Sequence, residues 1–164
     1  ALDSGGPGKQ WFSVSGVTEA NRPQRIVAAR SAFDDVVRRI VEQNELSARL
    51  DRVVLFGFSQ GSIMALDAIV SGRWPVAAVV AYSGRLASPS PFARGSTRVL
   101  LVHGGSDPVI PAANSAEAAA TLRQTGFDAD ARILPGVGHT ITPQGVQLGV
   151  AFLTKVLSPG MMLF

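Results

Sequence analysis

Ser59 stands in the string Gly57-Phe58-Ser59-Gln60-Gly61, between an apolar run (Val53, Val54, Leu55, Phe56) and a helix-like one (Ile63, Met64, Ala65, Leu66, Ala68, Ile69, Val70). Strand, sharp turn and helix in that order describe a nucleophile elbow. A serine on so tight a turn is held in a strained backbone conformation, and small residues two before and two after it let strand and helix approach. Such a serine is exposed at the C-terminal end of its strand. There the start of the next helix directs backbone N–H groups and a positive dipole end toward a developing oxyanion. The backbone N–H of Gln60, directly after the serine, is the expected oxyanion donor, and the Gln60 side chain is expected only to pack.

A serine hydroxyl is a weak nucleophile until a base takes its proton, and the base needs a third group to orient it. On this type of turn the acid and then the histidine follow later in the chain. Asp107 lies in His103-Gly104-Gly105-Ser106-Asp107-Pro108, just past the apolar run Val99, Leu100, Leu101, Val102, and His139 lies in Gly136-Val137-Gly138-His139-Thr140-Ile141. The chain has 2 histidines, so the base is one or the other. His103 ends a strand at a Gly-Gly turn and precedes the acid; it reads as a structural group bonded to backbone. Asp128 and Asp130 compete with Asp107 but open a strand, which is the wrong edge for chemistry. Asp107 in Ser-Asp-Pro would be an ordinary turn residue were it not for Ser59 and His139.

These residues need a frame. Arg25 to Asn44 places Ile26, Phe33, Val36, Val37, Ile40 and Val41 at helical spacing, with Arg30, Arg38 and Glu42 outward. After the strand at 53–56 and the helix to about Val70, Val76 to Tyr82 reads as a buried parallel strand. Ser83 to Ser96, rich in Pro, Ser and Gly, is a loop before the strand Arg98 to His103. A helix from Pro111 to about Thr125, closed by Gly126, a strand Asp130 to Leu134 and a helix from about Pro143 to Leu157 complete the pattern. Alternating strands and helices predict an α/β fold with a mostly parallel sheet flanked by helices. Its crossovers bring the strand ends, and with them Ser59, Asp107 and His139, to one edge.

At 164 residues with 46% hydrophobic content, the chain is expected to form one domain over residues 1–164. With 0 cysteines it has no disulfide, thiolate metal site or cysteine nucleophile. The first eight residues have neither a basic start nor an apolar stretch, and no apolar run is long enough to cross a bilayer, so a soluble cytoplasmic protein is expected. The net charge of +3 reflects arginines at 22, 25, 30, 38, 39, 49 and 52 interleaved with acids. They read as helix surface, without the basic block or stacking aromatics of a nucleic-acid binder. The apolar end, Met161 to Phe164, could dock, mediate an oligomer contact or be disordered.

The chain resembles the phospholipase/carboxylesterase family of the α/β-hydrolase superfamily. The resemblance rests on Gln10-Trp11-Phe12, Gly57-Phe58-Ser59-Gln60-Gly61-Ser62, His103-Gly104 with Asp107 and Val109-Ile110-Pro111, and Gly138-His139. It implies hydrolysis of carboxylic esters or thioesters without metal or organic cofactor, with Ser59 as nucleophile, His139 as general base and Asp107 as the orienting acid. It also makes Trp11, Val109 and Ile141 candidate walls of the substrate site, with short to medium acyl esters as the default substrate. The related dienelactone hydrolases use a cysteine nucleophile, which this chain lacks.

In one respect the chain departs from that pattern. Family members open with additional strands, and a His-Gly type segment there supplies a second oxyanion donor; nothing in this chain matches it. The strand at 53–56 is therefore expected to have a free hydrophobic edge. An N-terminal fragment, a second copy or a rebuilt sheet would cover it, and an N-terminal part absent from this chain is the expected answer. A binding or structural protein that keeps the fold with little turnover is the alternative reading.

Overall fold

The computed structural model describes residues 2, 3, 5 and 8–157; the apolar end at 161–164 lies outside them. Four parallel strands form one sheet in chain order: β1 (Val54–Phe58), β2 (Ala78–Tyr82), β3 (Arg98–Gly104) and β4 (Asp128–Leu134). Four helices accompany them: α1 (Arg22–Gln43), α2 (Gln60–Val70), α3 (Ala113–Gln124) and α4 (Pro143–Leu157). Every expected element is present. Helix α1 starts three residues earlier than its apolar spacing suggests, with Pro23 in its first turn, where the missing N–H costs nothing. Strand β1 runs on through Gly57 and Phe58, which places Ser59 directly at its end.

Alternation along the strands divides the core in two. Val79, Ala81, Val99, Leu101 and Ala129 face one way, toward α2, α3 and the Ile26, Phe33, Val37 stripe of α1. Val80, Tyr82, Leu100, Val102 and Leu134 face the other way, toward Leu148, Phe152 and Leu153 of α4. Close approach of α4 depends on Gly149, where a Cβ would collide with Tyr82 Oη. Tyr82 Oη donates to the Gly145 carbonyl at 2.9 Å. The link from β2 to β3 contains no helix; Leu86, Ala87 and Phe92 of that loop cover the first cluster instead.

One cluster differs from the arginine-covered surface expected for α1. Asp67 of α2 is fully buried and accepts from Arg30 Nε (2.9 Å), Arg30 Nη2 (2.8 Å) and Arg73 Nη1 (2.8 Å). Arg73 Nε and Trp74 Nε1 in turn donate to Asp34 on α1, at 2.9 and 2.7 Å. Arg30 is thus not an outward residue but a tie between α1 and α2. At the sheet edge, β1 pairs with β2 and, among the described residues, with no other strand. Phe56 and Phe58 on its α4 side are 58% and 37% exposed, so this edge is free and apolar. Among the described residues no helix is long and apolar enough to cross a membrane.

Candidate active site

At the C-terminal end of β1 the chain reverses through Ser59 at φ 51°, ψ −116°, a positive φ that a non-glycine residue adopts only under constraint. Neighbours impose it. Ser59 N–H donates to the Tyr82 carbonyl at 2.9 Å, and the buried Ser62 hydroxyl lies 2.7 Å from the carbonyls of both Gly57 and Tyr82, stapling the elbow to β1 and β2. A Cβ on Gly57 would come within 2.5 Å of the backbone of Gly61 and Ser62. Gly61 itself faces open space, with nothing within 4 Å of a Cβ there. The expectation that both glycines are sterically required is therefore correct for the first and not for the second.

Asp107 follows β3, and His139 follows β4 in the loop before α4. Their side chains meet over the elbow: His139 Nδ1–H donates to Asp107 Oδ2 at 2.7 Å, and His139 Nε2 accepts from the Ser59 hydroxyl at 3.0 Å. A carboxylate only accepts, so it selects the tautomer that leaves Nε2 free for the serine proton. Asp107 Oδ1 accepts from the backbone N–H groups of Val109 (2.8 Å) and Ile110 (2.9 Å). Burial pushes the Asp107 carboxyl up. The hydrogen bonds from Ile110, His139 and Val109 outweigh that and hold it below the usual carboxylate value. The His139 ring lies 4.9 Å from that of Phe58.

His103, the other histidine, is buried: Nδ1 is 2.7 Å from Ser115 Oγ and Nε2 is 2.8 Å from the Ile110 carbonyl. Its bond to backbone is as expected. Its Nε2 also lies 3.2 Å from Asp107 Oδ2, so it braces the loop that carries the acid. Asp128 and Asp130 sit at the opposite end of the sheet from the serine, beside Arg98 and Arg132.

A family model described as Phospholipase/Carboxylesterase matches residues 2–157. This chain belongs to the phospholipase/carboxylesterase family. It is 38% identical over 154 residues to the esterase YpfH of Escherichia coli (strain K12), covering 93% of this chain and 66% of that protein. It is 32% identical over 117 residues to an acyl-protein thioesterase 1 of Gibberella zeae, covering 66% of this chain and 50% of that one. The chain thus spans about two thirds and one half of these relatives. Among solved structures, the crystal structure of esterase PE8 superposes with a TM-score of 0.81 at 31% identity, covering 91% of this chain and 71% of that one. The parallel sheet flanked by helices is that of the α/β hydrolases.

Within this family frame Ser59 lies where two cavities meet. One, of about 360 Å³, is lined by Trp11, Lys9 and Phe58; the other, of about 250 Å³, by Phe12, Val109 and Ile110. Trp11 and Val109 therefore border the serine, whereas Ile141 packs into the α4-side cluster and lines neither cavity. The Gln60 side chain does more than pack: Oε1 accepts from the N–H groups of Trp11 and Phe12, and Nε2 donates to the Phe12 carbonyl at 2.8 Å. It thereby fastens the 10–12 segment across the elbow. The Gln60 backbone N–H opens α2, where no intrahelical acceptor is available to it. A hydroxyl, an imidazole and a carboxylate in this order have the geometry that acyl transfer through a serine requires.

Proposed function

We propose that this protein is a serine carboxylesterase acting on short to medium acyl esters, with thioesters and lysophospholipids as related substrates. The observation that carries the reading is the unbroken hydrogen-bond chain from Ser59 through His139 to Asp107, built on a serine with positive φ. In the first step Ser59 Oγ attacks the ester carbonyl carbon while its proton passes to His139 Nε2. Asp107 stabilises the imidazolium without taking the proton. The carbonyl oxygen, now an oxyanion, is met by the Gln60 N–H. As the tetrahedral intermediate collapses, the bond to the alkoxy oxygen breaks and His139 returns its proton to the departing alcohol. Water then attacks the acyl-serine, again giving its proton to His139, and the carboxylic acid leaves with Ser59 restored.

One oxyanion donor is worth on the order of a hundred- to a thousandfold in turnover. A strand added at the free edge of β1, from an N-terminal fragment or a second copy, would be placed to bring another. The test is hydrolysis of a short-chain p-nitrophenyl ester by the wild type and Ser59→Ala, with intact mass after treatment with a fluorophosphonate. Turnover and a single mass adduct, both lost in Ser59→Ala, are expected. No adduct on the wild type would reject an activated serine and leave a binding protein that retains the fold.

A further inference from the structure

The smaller cavity beside Ser59 carries charge that ester hydrolysis does not use. Its walls include Phe12, Val14 and Ile63, but also Arg22 from the first turn of α1 and Arg85 from the loop after β2. Among the described residues no acidic one lines it. Both arginine side chains are largely withdrawn from solvent, 14% and 12% exposed, and both turn toward one carboxylate oxygen: Glu19 Oε1 is 2.6 Å from Arg22 Nη1 and 2.7 Å from Arg85 Nη1. Glu19 is 78% exposed, and only the Arg85 contact is aligned as a hydrogen bond. Arg22 Nη1 is buried and finds no aligned acceptor among the described residues. Two cations and one anion leave a surplus positive charge beside an apolar pocket, and a buried, incompletely paired cation is costly. A second anion would relieve it, and the forked guanidinium geometry suits a carboxylate or phosphate.

We infer that Arg22 and Arg85 form an anion subsite, so that the preferred substrate is an ester bearing an anionic group on the portion that enters this cavity. This rests on the reading of Ser59 as the nucleophile. Glu19 is the competing internal anion, which sets the subsite's strength.

Two matched ester pairs test the subsite and locate the charge: p-nitrophenyl hydrogen adipate against p-nitrophenyl hexanoate for the acyl side, and 4-(butanoyloxy)benzoate against its methyl ester for the alcohol side. The wild type is expected to favour the anionic member of one pair in kcat/KM by about tenfold or more, decreasing with salt. That ratio should fall toward one in Arg22→Met/Arg85→Met and rise in Glu19→Gln, whose exposed position makes misfolding an unsuitable explanation. Equal rates in both pairs, or a ratio indifferent to all three substitutions, overturns the subsite. Adipate binding to Ser59→Ala by calorimetry separates this from failure of the hydrolase reading. Arginine-dependent binding without any ester turnover keeps the subsite and rejects the nucleophile; Ser59-dependent turnover with neither anion preference nor adipate binding rejects the subsite alone.

Discussion

Asp67 and Asp107 are both carboxylates whose side chains have no exposed surface, and each accepts three N–H hydrogen bonds. In both, burial pushes the carboxyl up and hydrogen bonds more than offset it, leaving each below the usual value. They differ in the charge of their donors. Asp67 faces Arg30 and Arg73, and with Asp34 beside Arg73 that cluster holds two positive and two negative charges. Asp107 is held by two neutral amides and His139, with the His103 ring 3.2 Å away, and among the described residues it meets no arginine or lysine. One carboxylate is neutralised in place and joins two helices. In the proposed mechanism the other stabilises the imidazolium that forms when His139 takes the Ser59 proton.

The largest effect should come from the second. Asp107→Asn leaves the two backbone donors an acceptor but removes the charge and the tautomer selection, and turnover should drop by roughly ten-thousandfold. Ester hydrolysis measured beside a thermal melt checks this; a rate within tenfold of wild type would remove Asp107 from the orienting role. Asp67→Asn should do the opposite. It leaves the half-buried Arg30 and Arg73 with Asp34 as their remaining acid, so urea unfolding should show a loss of about 3 kcal/mol. Turnover per folded molecule should stay within a fewfold of wild type. If Asp67→Asn lowered the rate without lowering stability, the division between the two carboxylates would be wrong.

That division was only half legible in the sequence. Ser59, Asp107 and His139 could be read because each follows a strand in a short motif, and a parallel sheet brings strand ends together whatever the exact helix bounds. Asp67 is inconspicuous inside an apolar helix, although a carboxylate flanked by Leu66 and Ala68 has to find buried donors. Helical spacing turned Arg30 outward because periodicity shows a residue's face on its own helix and not which neighbour its long side chain reaches. Interleaving with acids makes Arg22 look like ordinary surface, yet it lines the cavity beside the serine. The Gln60 clamp on Trp11 and Phe12 joins segments 48 and 49 residues apart, which no local pattern could reveal. Ile141 packs into the α4-side cluster, and no sequence pattern could show it, because loop residues carry no periodicity to say which way they point.

Acid titration sharpens the comparison. The folded-state value of each carboxyl lies below its unfolded value of about 3.9, so their stabilisation is complete above that pH and is lost as pH falls toward the folded value. In that window the unfolded chain binds more protons, and stability falls on acidification by up to about 1.4 kcal/mol per pH unit for each such group. Unfolding measured from pH 6 down to pH 3 should therefore be less steep below about pH 4 in Asp67→Asn than in wild type. Identical acid limbs would mean that Asp67 contributes nothing to the pH dependence.

The smallest effects should separate the two glycines of the elbow, the frame on which the serine meets the Asp107 side of the comparison. Alanine at Gly57 puts a Cβ 2.5 Å from the Gly61 carbonyl group and Ser62 N, all backbone atoms with no flexible end to move aside. Gly57→Ala should cost about 1–3 kcal/mol in stability and reduce turnover as well, since relief of the contact shifts the turn that holds Ser59. Gly61→Ala meets nothing within 4 Å and lies in the first turn of α2. It should be neutral or stabilising by up to about 1 kcal/mol, because alanine loses less backbone freedom on folding. Urea unfolding with ester hydrolysis on both variants decides it. Equal damage from the two would mean that the elbow is crowded on its helix side as well. Damage from Gly57→Ala alone would place the constraint on Ser59 at the end of β1, where the strand and not the helix sets the serine's position against His139.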